Sequence, residues 1–217
     1  MKKSLRTLLL SAMLVVLSGC ATSRGVLDIT QEETVNPESG EAIKFVRVTD
    51  NRQFQIDPPQ ADVPSLKNDE VNNSAITSRA IARKRNTFGK ALGDILLPED
   101  ETVAGLVEDS LTRGFRENGY RVVGQTDSDF EEAIPVEVDI EKFWGWFNPG
   151  FWEIKLNYEI EIRISAPVGS FVDGQEFDSQ VEMGFQTASG SNWLELIDAS
   201  LDALNEDIAA DLAKSRL

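Results

Sequence analysis

Along residues 152–164 apolar and polar side chains alternate without a break: Trp152, Ile154, Leu156, Tyr158, Ile160, Ile162 and Ile164 against Glu153, Lys155, Asn157, Glu159, Glu161 and Arg163. A period of two puts the first set on one face of a strand and the second on the other. Val136, Val138 and Ile140 alternate in the same way with Glu137, Asp139 and Glu141, and Phe177, Val181, Met183 and Phe185 with Asp178, Gln180, Glu182 and Gln186. These segments predict an antiparallel sheet with one dry and one wet face. Elsewhere the apolar spacing is three and four. Val103, Leu106, Val107, Leu111 and Phe115 predict a helix that opens at Pro98 with Glu99, Asp100 and Glu101 and stops at Asn118-Gly119. Leu194, Ile197, Leu201, Leu204, Ile208 and Leu212 predict a second helix, opening near Asn192 with Glu195 as a capping partner. Ile43 to Val48 reads as a first strand and Tyr120 to Val123 as a short one. The plan is α+β in the order β-α-β-β-β-α, a sheet with a long hairpin and both helices on one face. Within it residues 50–97 are partly irregular: Pro58, Pro59 and Pro64 argue for a loop, and Ala75 to Phe88 for a short helix.

The hairpin register follows from the faces. Apolar residues are even-numbered on both strands, so an odd loop is required, pairing Trp146 with Trp152, Trp144 with Ile154, Ile140 with Tyr158 and Val138 with Ile160. Glu137 then faces Glu161 and Asp139 faces Glu159, which like charges disfavour, while Lys142 falls on the apolar parity. At the tip the alternation fails. Trp144, Trp146 and Trp152 take the core side and Phe143, Phe147 and Phe151 the other, which makes the tip apolar on both faces and a candidate contact site. The competing reading packs these rings under residues 50–97 or against one another across the strands. A second candidate is the basic run Arg79, Arg83, Lys84, Arg85 and Lys90, suited to anionic headgroups, to an acidic partner, or to the protein's own acidic sheet.

Composition removes whole classes of chemistry. The chain has 217 residues, one Cys, no His and a formal net charge of -16. Without His there is no Ser-His-Asp or Cys-His pair and no His-containing zinc site. The acidity opposes nucleic acid as a partner. No metal, phosphate or cofactor spacing is present, so the expectation is a protein that is not an enzyme and needs no cofactor; a carboxylate-based hydrolase of envelope polymers is the enzymatic alternative.

The amino terminus carries the most specific motif. Lys2, Lys3 and Arg6 precede an apolar run from Leu8 to Leu17, too short to span a bilayer, which ends in Leu17-Ser18-Gly19-Cys20. This resembles a bacterial lipobox, which implies cleavage before Cys20 and acylation of it. Ala21, in place of an Asp, implies transport to the outer membrane, with the chain facing the periplasm. The organisation expected is an export signal over 1–19, a lipidated Cys20 and flexible tether over 20–42, and one α+β domain over 43–217. With the lipobox, the element order and Asp50-Asn51-Arg52 after the first strand, the chain resembles the YajG-type outer-membrane lipoproteins, a family of envelope or flagellar context without assigned catalytic residues. The expected function is a lipid-anchored, non-enzymatic accessory or assembly factor that contacts an envelope protein. A lipid-handling accessory of an envelope ABC-type transporter is the alternative.

Overall fold

The computed structural model describes residues 24–215, Thr87 and Phe151 excepted. The strands are β1 (Gly25–Val26), β2 (Ala42–Asp50), β3 (Gln55–Ile56), β4 (Ser65–Leu66), β5 (Ala80–Arg85), β6 (Ala91–Leu96), β7 (Arg121–Val122), β8 (Ile134–Pro149), β9 (Ile154–Ser165) and β10 (Gln175–Phe185). The helices are α1 (Ser74–Thr77), α2 (Val103–Glu117) and α3 (Gly190–Ser215). The class is α+β, as the sequence implies, but the sheet has eight strands and is mixed. β8 is its spine. Along one edge runs antiparallel β9, and beyond it antiparallel β10. The other edge is shared: β2 pairs in parallel with the first half of β8 and β5 with the second, at Ala82↔Gly145 and Arg83↔Trp146. β7 lies outside β2, and β6 then β1 lie outside β5.

Both long helices cover the same face, α2 over β2 and β7, α3 over β9 and β10. The stripe read for α2 is the one that is buried, from Val103 to Phe115. Its start lies past Pro98: Thr102 accepts from the Gly105 amide at 3.1 Å, while Pro98 to Glu101 form a separate turn. Gly119, at φ +79, supplies the left-handed residue after the helix end. α3 likewise opens earlier than Asn192, with Ser189 Oγ accepting from the Asn192 amide. The two helices are tied by Asn205 Nδ2, which donates to the Ser110 carbonyl and hydroxyl in a buried contact. Tyr158, Trp193, Phe143 and Phe171 fill the space beneath.

Two segments differ from the sequence reading. The tether expected over 20–42 is not free along its length, because β1 pairs with β6 and Leu27 and Ile29 are buried in the core. The helix expected over Ala75 to Phe88 is the single turn α1, after which Ala80–Arg85 runs as a strand. Its Arg83 and Arg85 side chains are buried, beside the Asp94 carboxylate and the Pro58 carbonyl respectively.

Candidate functional site

β8 and β9 do not meet in the register expected. Observed pairs are Val138↔Ile164, Ile140↔Ile162, Lys142↔Glu161, Trp144↔Glu159 and Trp146↔Asn157, with a bulge at Glu141. The reversal therefore contains residues 150–153, and a bulge does what an odd loop was invoked to do. An extra residue shifts the parity of everything beyond it. Phe143 and Phe147 consequently join the main core, and Trp144 and Trp146 take the opposite face, the reverse of the assignment from parity. The like-charge pairs vanish as well: Asp139 faces Arg163, and Glu137 faces Ser165.

The aromatic tip is not an exposed patch. Phe143, Trp144, Trp146 and Phe147 are all buried, the two Phe in the main core and the two Trp because the excursion between β2 and β5 folds over the outer face of β8. Trp144 meets Phe54 edge-to-face at 5.8 Å and donates from Nε1 to the Ala61 carbonyl at 3.3 Å. Trp152 alone of the described tip aromatics is open, at 84% exposure. Phe151 and Cys20 lie outside the described residues.

The excursion is fastened by Arg52. Its Nε and Nη2 bind both oxygens of Asp50 at 2.7 Å, Nη1 donates to the carbonyls of Ala80 (2.6 Å) and Phe143 (3.0 Å), and Nη2 also donates to Thr77 at 2.9 Å. All five N–H bonds of a buried guanidinium are thus used. Asn51 adds contacts to Asp139 and Glu141. Asp50-Asn51-Arg52 is accordingly a staple of three chain segments. A sequence offers no sign of this beyond the juxtaposed charges.

The wet part of the same face is acidic but compensated. Carboxylate oxygens of Glu159, Glu161 and Asp178 lie within 4.8 Å of one another. The bulge turns Lys142 away from the apolar side and onto this face, 2.6 Å from Glu159 and 3.7 Å from Glu161. Its ammonium is the cation of the cluster. Burial pulls the Lys142 pKa down, but the bond to Glu159 and the charges of Glu159, Glu161 and Asp62 raise it further. Burial, with Glu159 and Asp178 adding to it against Lys142, raises that of Glu161. Arg47 pairs with Glu137 at 2.5 Å and Asp139 at 3.3 Å.

The basic run is divided rather than a single patch. Arg79 donates to the Leu97 carbonyl, and Lys84 is half-buried, its pKa lowered by that burial with Asp94 opposing. Arg83, Arg85 and Lys90 line a cleft of about 650 Å³ together with Lys67, Phe88 and Pro58. Arg83 and Arg85 are 3% and 6% exposed. Arg85 donates to the Pro58 carbonyl at 2.5 Å and Ser65 Oγ at 2.8 Å. Arg83 stands 3.5 Å from Asp94 and 3.7 Å from Asp57. Arg83 Nε and Nη1 and Arg85 Nε have no hydrogen-bond partner among the described residues. Of the basic run, this cleft is the part whose geometry suits an anion.

No protein-family model matches the chain, and no curated protein matches it in sequence. Solved structures similar to it include the following two. An uncharacterized protein is 11% identical, covering 79% of this chain and 99% of its own, at a TM-score of 0.43. XCC0632 from Xanthomonas campestris, of the DUF330 family, is 12% identical, covering 88% of this chain and 92% of its own, at a TM-score of 0.39.

Proposed function

We propose that the protein is a lipid-anchored lipoprotein of the outer membrane, facing the periplasm, that serves as a non-enzymatic accessory or assembly factor. The observation that carries the reading is Leu17-Ser18-Gly19-Cys20 at the end of an export-like segment. Stable anchoring needs more than one acyl chain, which a lipobox Cys acquires. Residues fixed in the fold lie close behind it: Arg24 pairs with Glu70 at 2.6 Å and Asp94 at 2.9 Å, and Gly25 enters the sheet. An anchor so near a fixed residue favours a domain held in one orientation over one on a long leash. The YajG-type assignment belongs to this reading, on the lipobox, the element order and the Asp50-Asn51-Arg52 staple. Partner contact would use the surface turned away from the helices, where the carboxylates of Glu137, Glu159, Glu161, Asp178 and Glu182 outnumber the Arg47, Lys142 and Lys155 paired among them and leave a net negative face for a basic protein. A lipid-handling role would likewise have to use the surface, since Tyr158, Trp193 and Leu201 fill the layer between helices and sheet.

The test is palmitate labelling with membrane fractionation, joined to in-cell photocrosslinking from Asp178 and Glu182. Label that disappears in Cys20→Ala and a discrete protein adduct support the reading. An unlabelled chain overturns the anchor, and absence of any protein adduct overturns the accessory role.

A further inference from the structure

β5 and β8 are adjacent and parallel, with Arg83 opposite Trp146. β5 turns back after Arg85 and β8 after Pro149, to opposite sides, so both reversals lie at one end of the sheet with their centres about two strand spacings, roughly 10 Å, apart. Each carries an open aromatic ring, Phe88 at 93% exposure and Trp152 at 84%. Single exposed rings are ordinary, but two at neighbouring reversals form an apolar projection of the kind that enters a membrane interface. Beside them lies the cleft of Arg83, Arg85, Lys67 and Lys90, with buried guanidinium N–H groups that lack acceptors. Asp57 is the carboxylate on its wall, and Asp94, behind Arg83, is shared with Arg24. Four cations against that supply leave room for an added anion.

The direction of β1 fixes which end faces the anchor. β1 is parallel to β6, with Gly25 opposite Ile95, and β6 starts at the reversal that bears Phe88. The backbone therefore enters Gly25 from that side. Cys20 is four residues from Arg24, a separation of at most about 14 Å whatever the path, and the same distance along β6 leads from Asp94 to Lys90. A bilayer holding acyl chains on Cys20 is confined to within that reach of Arg24 plus the length of the Cys side chain and its glyceryl link.

We infer that this end of the protein docks on the bilayer that holds Cys20, with Phe88 and Trp152 in the interface and the Arg83–Arg85 cleft seating the phosphate of an anionic phospholipid. The inference rests on the lipid-anchor reading. It is tested with the full acylated chain reconstituted in phosphatidylcholine vesicles, with or without phosphatidylglycerol, carrying brominated acyl chains. Trp144, Trp146 and Trp193 are buried in the protein, so quenching reports Trp152. Quenching should be present, should grow with phosphatidylglycerol, and should vanish in Trp152→Phe. Lys67→Gln with Lys90→Gln, both at exposed positions, should remove more than about half of the anionic increment. The protein's mass reports separately whether Cys20 is acylated. An acylated protein without quenching overturns the docking and leaves the anchor standing; a quenched, unacylated protein does the opposite. Quenching indifferent to phosphatidylglycerol, or an increment abolished by excess inorganic phosphate, overturns the seated headgroup.

Discussion

Before Glu141 the outer face of β8 is Glu137 and Asp139, in water beside Arg47 and Arg163; beyond it the same face is Trp144 and Trp146, sealed under residues 54–76. One strand thus serves two surroundings. The difference teaches that the wetness of a sheet face is set by what the rest of the chain lays across it, and that a bulge lets one strand change phase where the cover begins. Arg52 marks the boundary, binding Asp50 on one side and the Phe143 and Ala80 carbonyls on the other.

The sharpest way to break this contrast is to empty the dry half. Trp144→Ala should cost about 3–5 kcal/mol, and Glu137→Ala in the wet half no more than about 0.5 kcal/mol; equal shifts in urea midpoint would mean the cover is loose. Arg52→Ala should cost about 3 kcal/mol, the lower end for a broken buried pair because Asp50 keeps some contact with water. Thermal melting checks it, and a drop under a degree would show that the staple holds nothing. Gly145→Ala probes the core side of the same half. Its Cβ would lie 2.7 Å from Trp193 and 2.8 Å from Tyr158, so a loss of about 1–3 kcal/mol is expected in the same melt.

The smallest effect lies in the wet half and concerns pH. The folded pKa of Glu161 is raised above the ordinary 4.5, so the folded chain holds this proton more tightly than the unfolded one. Its contribution to stability therefore grows as pH falls from above the raised value toward 4.5. Glu161→Gln should raise stability at pH 7 by less than about 1 kcal/mol, given the exposure of the site, and flatten the profile over that window. Urea unfolding of both chains at pH 7 and 5 decides it; a destabilised variant at pH 7 would mean the bond to Lys142 outweighs burial.

The helices and the faces of β9 and β10 were legible because a single period runs through each: every apolar residue named for α2 is buried. The bulge was not. It becomes visible only against the partner strand, and from parity alone an odd loop and an extra residue look alike. The strand Ala80–Arg85 was hidden for a different reason, since its guanidinium groups are buried beside Pro58, Ser65 and Asp94 from distant segments. Lys142 and Asp94 gained their roles from the same long-range pairings. Among the described residues of the candidate tip, Phe143, Trp144, Trp146 and Phe147 are buried and Trp152 is open.

β10 forms a long outer edge of the sheet, eleven residues that pair with β9 alone among the described strands. Such an edge is a template on which a second copy can add and start a fibre. Two β10 edges brought together antiparallel about Gln180 would set Asp178 against Glu182 in both directions, at neutral pH, in a chain already strongly negative. The acidic row on this strand thus doubles as a guard against self-assembly, one that added salt weakens by screening.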